Sequence, residues 1–156
     1  MPDLSPSAPF TISLGKARIT ALCDGVLTVP VANLYRLNSS QPTPEHFPAA
    51  PGELSVNAFL VETGTRKIMI DTGSGALFGP DHGKLQAALI NLGISPDAIS
   101  DIILTHIHAD HSGGLIADGK PVFKNATLHI GKTEAAFWLS EGADKAAGVT
   151  ERVRGQ

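Results

Sequence analysis

Phe10 to Leu14 and Ala17 to Cys23 each alternate apolar with polar residues around Gly15-Lys16, a pattern that predicts a β-hairpin. Asp24-Gly25 reads as a turn at the end of its second strand. Ser55 to Glu62 and Lys67 to Ile70 alternate in the same way about Thr63-Gly64 and predict a second strand pair. Leu85, Ala88, Leu89 and Leu92 fall at i, i+3, i+4 and i+7. They predict a helix over Lys84 to Leu92 that Gly93 ends.

Ser95-Pro96 has the cap-then-proline order of a short helical turn. Asp101 to Thr105 is a brief apolar run of the sort buried on both faces of a sheet, and Thr127 to Ile130 predicts a further strand. From Lys132 to about Ala147 the period turns helical, with Ala135, Trp138 and Leu139 on one side. Pro42, Pro44, Pro48 and Pro51 make the stretch from Leu37 to Gly52 a loop, since prolines at that density forbid helix and sheet interiors. Strands and helices interleave, so layers of sheet and helix are expected.

Composition narrows the function classes. The chain has 156 residues, of which 42% are hydrophobic and 17% charged, enough apolar content for a folded core. Twelve Lys and Arg are scattered within a net charge of −3, so no basic stripe invites nucleic acid or an anionic membrane. No apolar run approaches the roughly 18 residues of a membrane span. Met1 to Pro9 lacks the basic and apolar regions of a secretory signal and reads as a disordered tail. The single cysteine, Cys23, has no partner for an internal disulfide and reads as a small buried hydrophobe; a reducing, cytoplasmic setting is expected.

The chemistry concentrates in Thr105-His106-Ile107-His108-Ala109-Asp110-His111-Ser112-Gly113-Gly114, directly after an apolar strand. At i and i+2 beyond a strand, His106 and His108 can converge on one cation. Asp110 and His111 enter the next turn and can serve a second. Imidazole with carboxylate suits Zn²⁺, or the harder Mn²⁺ and Fe²⁺, and the lack of thiolates argues against a closed structural zinc. Two adjacent cations can activate one water for hydrolysis, and a carboxylate beside that water can move protons. Gly113-Gly114 lets the backbone come close to the site. The bland alternative is a surface histidine cluster without metal. His46 and His82 fall in loops without an assigned role, and His129 reads as a satisfied core or edge residue.

His106-x-His108-x-Asp110-His111 resembles the signature of the metallo-β-lactamase fold superfamily, and Ile70-Asp71-Thr72-Gly73 is similar to its second conserved element. Ala21-Leu22-Cys23-Asp24-Gly25, Leu77-Phe78-Gly79-Pro80, Asn125-Ala126 and Glu134-Ala135-Ala136-Phe137-Trp138-Leu139-Ser140 carry a closer likeness to the methyl parathion hydrolase group, which hydrolyses organophosphates and lactones. The resemblance implies an α+β fold, the αββα sandwich, with residues 10–147 as its N-terminal half and 148–156 as a polar tail. It assigns His106 and His108 to one metal and Asp110 and His111 to another, two divalent ions with zinc foremost. Asp110 would also handle protons, and Asp71 would hold the metal loop from behind. Phe78 and Trp138 would line an aromatic pocket for the leaving group; by residue type alone they read as core.

The family's second half supplies a further histidine, a bridging carboxylate and a last histidine. No histidine follows His129 here. The resemblance therefore implies the N-terminal portion of a dinuclear metal-dependent hydrolase, in which metal-bound hydroxide attacks a small-molecule phosphotriester or lactone. Homodimerisation, or association with the missing C-terminal half, would complete it. A glyoxalase-type thioester hydrolase and a non-catalytic, metal-binding half-domain are the alternatives.

Overall fold

The first hairpin runs further than its alternation predicts. The structure is a computed structural model that describes residues 9–29 and 52–140. In it β1 (Phe10–Leu14) pairs antiparallel with β2 (Ala17–Val29), which continues straight through Asp24-Gly25. The turn expected there is a β-bulge, with the register against the next strand shifting between Cys23 and Gly25. A bulge kinks a strand without ending it, so a turn-like dipeptide sits inside a thirteen-residue strand. Cys23 is half-buried rather than buried, and its thiol donates to the Gly25 carbonyl at 3.3 Å.

β3 (Gly52–Thr63) pairs antiparallel with β2 and with β4 (Arg66–Ile70). β5 (Asp101–Ile103) then joins β4 in parallel. A small antiparallel pair follows, β6 (Ile116–Ala117) with β7 (Lys120–Pro121). β8 (Thr127–His129) extends the main sheet in parallel, giving the order β1-β2-β3-β4-β5-β8. The helices are α1 (Leu85–Asn91), α2 (Ala109–Ser112) and α3 (Lys132–Trp138), with 3₁₀ turns at Pro96–Ala98 and Gly113–Leu115. Expectations for residues 1–8, for the proline-rich loop up to residue 51 with His46, and for residues 141–156 lie outside the described residues.

Register decides which face is core. Thr20, Leu60, Met69 and Ile102 lie side by side across four strands, with Leu22 opposite Ala58 in the next row. With Leu104 these residues share one face, none more than 4% exposed. Leu85 and Leu89 of α1 pack there with Ile94, Ile99, Val122 and Phe123. Burying one such Leu side chain contributes about 1.5–3 kcal/mol. On the other face Phe10, Ile12, Leu14, Phe59 and Ile103 are exposed. The expectation that Asp101 to Thr105 is buried on both faces is thus wrong: Ile102 is 2% exposed and Ile103 41%, because α1 and its neighbours cover one side of the sheet.

Local signals hold well around α1. Gly93 takes φ 74° just past its end, and Ser95 Oγ accepts the Asp97 N–H of the following turn at 3.3 Å. In α3, Ala135 and Trp138 are half-buried as expected, but Leu139 is exposed. Leu139 is the C-cap, one residue past the helix, its N–H still donating to the Ala135 carbonyl at 3.1 Å.

Candidate metal centre

Parallel pairing of β4 with β5 brings two loops together at one end of the sheet, the 71–75 loop after β4 and the 104–114 loop after β5. Their backbones are bonded to each other. Thr72 N–H donates to the His111 carbonyl at 2.7 Å, as does the Thr72 hydroxyl at 2.9 Å, and Gly114 N–H donates to the Gly73 carbonyl at 3.1 Å. A Cβ on Gly114 would collide with the Thr72 carbonyl, which is the physical need for glycine at that position.

Asp71 stands at the junction. Its backbone adopts φ 60°, a left-handed conformation that costs a non-glycine residue about 1–2 kcal/mol and has to be held by its surroundings. Here the surroundings are all polar contacts to the other loop. Oδ1 accepts the Thr105 N–H at 2.8 Å, Oδ2 accepts the Thr105 hydroxyl at 2.9 Å, and Oδ2 meets His111 Nδ1 at 2.8 Å. A carboxylate can only accept, so His111 carries a proton on Nδ1, and in the neutral ring Nε2 is the nitrogen left to ligate. This is how a carboxylate behind a ligating histidine fixes its tautomer.

All four motif residues gather at this junction, in pairs. His106 Nε2 lies 3.0 Å from His108 Nδ1, and His111 Nε2 lies 3.3 Å from Asp110 Oδ2. The His106 and His111 rings are 4.0 Å apart between centroids, so the pairs adjoin. Among the described residues no three His, Cys, Asp or Glu side chains converge as a metal-holding group. The donors nevertheless fit divalent cations. Ligand atoms around tetrahedral zinc, with Zn–N of about 2.0–2.1 Å, sit about 3.3 Å from one another, close to both pair distances. The His106 pKa is lowered, first by desolvation and then by repulsion from His111 and His108, against the pull of Asp110 and Asp71. Neutral imidazole is the ligating form.

The two aromatic candidates sit on different elements. Trp138 packs edge-on against His108, 5.5 Å between centroids, and Phe78 packs edge-on against His82 at 5.8 Å. An apolar hollow of about 370 Å³ reaches the metal loop at Ile107, walled by Leu77, Leu104, Leu115, Leu128 and Ile130. Neither Phe78 nor Trp138 lines it. Among the described residues, His82 has both ring nitrogens buried without a hydrogen-bond partner.

Sequence reasoning missed Asp24, read as a turn residue. It is fully buried: Oδ2 accepts Ser74 N–H at 2.9 Å, Ser74 hydroxyl at 2.8 Å and Gly83 N–H at 3.2 Å, and Oδ1 accepts Leu85 N–H at 3.0 Å. One carboxylate thus fastens the 71–75 loop and caps α1, whose own N-cap, Lys84, makes no side-chain bond. A Cβ on Gly73, at φ 73°, would strike that carboxylate. No local signal marks it, since every donor to its carboxylate comes from 50 or more residues away.

Comparison with known proteins agrees with this geometry. The family model described as the metallo-beta-lactamase superfamily matches residues 51–147, which contain Asp71 and the whole histidine motif. The chain is 26% identical over 132 residues to the N-acyl homoserine lactonase AiiB of Agrobacterium fabrum, covering 71% of this chain and 44% of that protein. It is 37% identical over 68 residues to the atrochrysone carboxyl ACP thioesterase nsrC of Aspergillus novofumigatus, covering 42% of this chain and 20% of that one. Among solved structures it is similar to AidC, a dizinc quorum-quenching lactonase, with TM-score 0.74, 28% identity, and coverage of 85% of this chain and 48% of the other. It is also similar to AbOPH, a hydrolase in the beta-lactamase superfamily, with TM-score 0.72, 28% identity, and coverage of 96% and 56%. The chain spans about half the length of these solved structures, and less of the curated relatives. The matched residues, which include both loops and every residue of the histidine motif, establish that the chain belongs to the metallo-beta-lactamase superfamily.

Proposed function

We propose that these residues form the N-terminal portion of a dinuclear metal-dependent hydrolase that opens lactones. The observation that carries the reading is the pairing of donors, His106 Nε2 with His108 Nδ1 and His111 Nε2 with Asp110 Oδ2. Two pairs of ligands on adjoining positions suit two cations, zinc foremost, with the remaining ligands supplied by a second half. Bound divalent ions supply Lewis acidity and lower the pKa of a shared water. The chain's own residues do the rest. Asp71 fixes His111, Thr105 links Asp71 to His106, and Asp110 would take up and return a proton.

Lactones are favoured over thioesters by the breadth of likeness, and two of the relatives above are named as lactonases. Similarity to lactonases extends over 71% and 85% of the chain, against 42% for the thioesterase. Thioester hydrolysis is the second reading, since that shorter match has the higher identity. Cytoplasmic location, homodimerisation and an aromatic leaving-group pocket at Phe78 and Trp138 belong to the same proposal. The test is to assay the intact protein side by side on an acyl homoserine lactone, a phosphotriester and an acyl thioester, with zinc content measured alongside. Highest kcat/KM on the lactone, lost with zinc in His106→Ala, is the expected result. Highest kcat/KM on either other substrate overturns the lactone assignment, and zinc content unaltered in His106→Ala overturns the metal reading.

A further inference from the structure

Helix α3 makes a contact that its own helix end does not use. Glu134 is the third residue of that helix, the position from which a glutamate ordinarily reaches back to the N–H of the capping residue. Its N-cap, Gly131, has no side chain to complete such a box, and Glu134 turns elsewhere. Its Oε2 accepts the backbone N–H of Ile107 at 3.1 Å, 27 residues away. Ile107 is the residue between His106 and His108. One turn further along α3, Trp138 lies edge-on against the His108 ring. Glu134, Ala135 and Trp138 are the half-buried face of the helix, so the face that packs is the one that grips the metal loop.

We infer that Glu134 is a positioning residue for the His106-His108 pair, holding the peptide between the two imidazoles while Trp138 backs the second ring. The inference rests on the reading of these histidines as metal ligands. A loop carrying ligands at i and i+2 has its ring separation set by the backbone between them. The Ile107 amide is one of the two N–H groups between the α-carbons of these residues, and it is the one that Glu134 takes; a carboxylate is the stronger kind of acceptor for it. Trp138 by itself fixes one ring plane. Together with Glu134 it fixes the ring and the peptide from which the ring is hung.

The experiment compares Glu134→Ala, Glu134→Gln and His106→Ala in the intact protein. Zinc affinity is read by competition with a chromophoric chelator, and Ile107 amide exchange is read by NMR in the metal-free state. Glutamine keeps an acceptor oxygen and alanine does not. Glu134→Ala is expected to weaken zinc binding about 10-fold or more, the scale of groups that orient ligands, and to speed Ile107 exchange. Glu134→Gln is expected to stay near wild type in both. If Glu134→Ala does not fold, Glu134→Asp withdraws the carboxylate by one methylene and is expected to give the same two losses. A role confined to docking α3 would lower the Tm and speed Ile107 exchange yet leave zinc affinity unchanged, and that result overturns the inference. His106→Ala separates the two claims. If it leaves zinc binding unaltered, the metal reading itself has failed, whereas zinc lost in His106→Ala but retained at full affinity in Glu134→Ala sinks only the role of Glu134.

Discussion

Asp71 Oδ2 and His111 Nδ1 lie 2.8 Å apart, joining the end of β4 to the start of the helical turn that follows β5. Because the carboxylate accepts from Nδ1, Nε2 of the neutral ring is the nitrogen left to ligate, 3.3 Å from Asp110 Oδ2. Asp71→Ala should therefore release the ring to either tautomer. Zinc affinity is expected to fall about 10- to 100-fold, the usual effect of removing the carboxylate behind a ligating histidine. Chelator competition on the folded variant is the measurement, and unchanged affinity would show that His111 is oriented by something else.

Thr105 links that carboxylate to the other donor pair. Its hydroxyl has one proton, which goes to Asp71 at 2.9 Å, so toward His106 Nδ1 at 3.0 Å the oxygen can only accept. His106 then bears its proton on Nδ1 and presents a lone pair at Nε2. The ¹⁵N shifts of the metal-free protein should report the Nδ1-protonated form for His106. Thr105→Val is expected to populate the other tautomer and Thr105→Ser to preserve the first. A wild-type His106 protonated on Nε2 would break this chain of donors.

Much of this was legible in the sequence, for identifiable reasons. The motif of His106 to His111 could be read because its ligand types are adjacent in sequence and a parallel strand precedes them. Alternation along β2, β3 and β4 and the Leu85-Leu89 spacing were legible because one face of each element is buried. Asp24 was not, since its four donors come from Ser74, Gly83 and Leu85, some 50 to 61 residues away. Glu134 was masked likewise: nothing local shows that its carboxylate reaches Ile107 rather than its own helix end. Ile103 misled because an apolar run does not reveal how many faces of a sheet are covered.

Asp24→Ala should be among the most damaging single changes outside the motif. It strips the acceptor from three N–H groups and one hydroxyl in a buried site. Unpaired buried polar groups cost about 1–3 kcal/mol each, and partial relaxation brings the expected loss to about 3–5 kcal/mol. Asp24→Asn should lose nearly as much, since an amide offers one acceptor oxygen where four donors converge. Chemical denaturation checks both. A loss under about 1 kcal/mol, the ordinary size for a point mutant, would mean that the loop and α1 do not depend on this carboxylate.

Acid stability should depend on Asp101, another buried carboxylate, at the start of β5. Ser100 Oγ donates to it at 2.7 Å, His129 Nε2 meets it at 2.9 Å, and Arg66 donates through Nη2 at 2.5 Å and Nε at 3.1 Å. His129 is thus a satisfied edge residue, tying β8 to β5. These bonds, with Ser100 and His129 ahead of Arg66, hold the Asp101 pKa down from 3.8 to about 2. A pKa lower in the folded state than in the unfolded one means that the unfolded chain binds the proton more readily. The contribution is therefore fully present above about pH 4 and is lost as pH falls through about 2. Asp101→Asn removes the titrating group and keeps its shape. The Tm difference between wild type and Asp101→Asn should stay constant from neutral pH to about 5, then shrink steadily between about 4 and 2. A difference that holds constant through that acid window would show that the carboxylate is not held in its charged form by Ser100, His129 and Arg66.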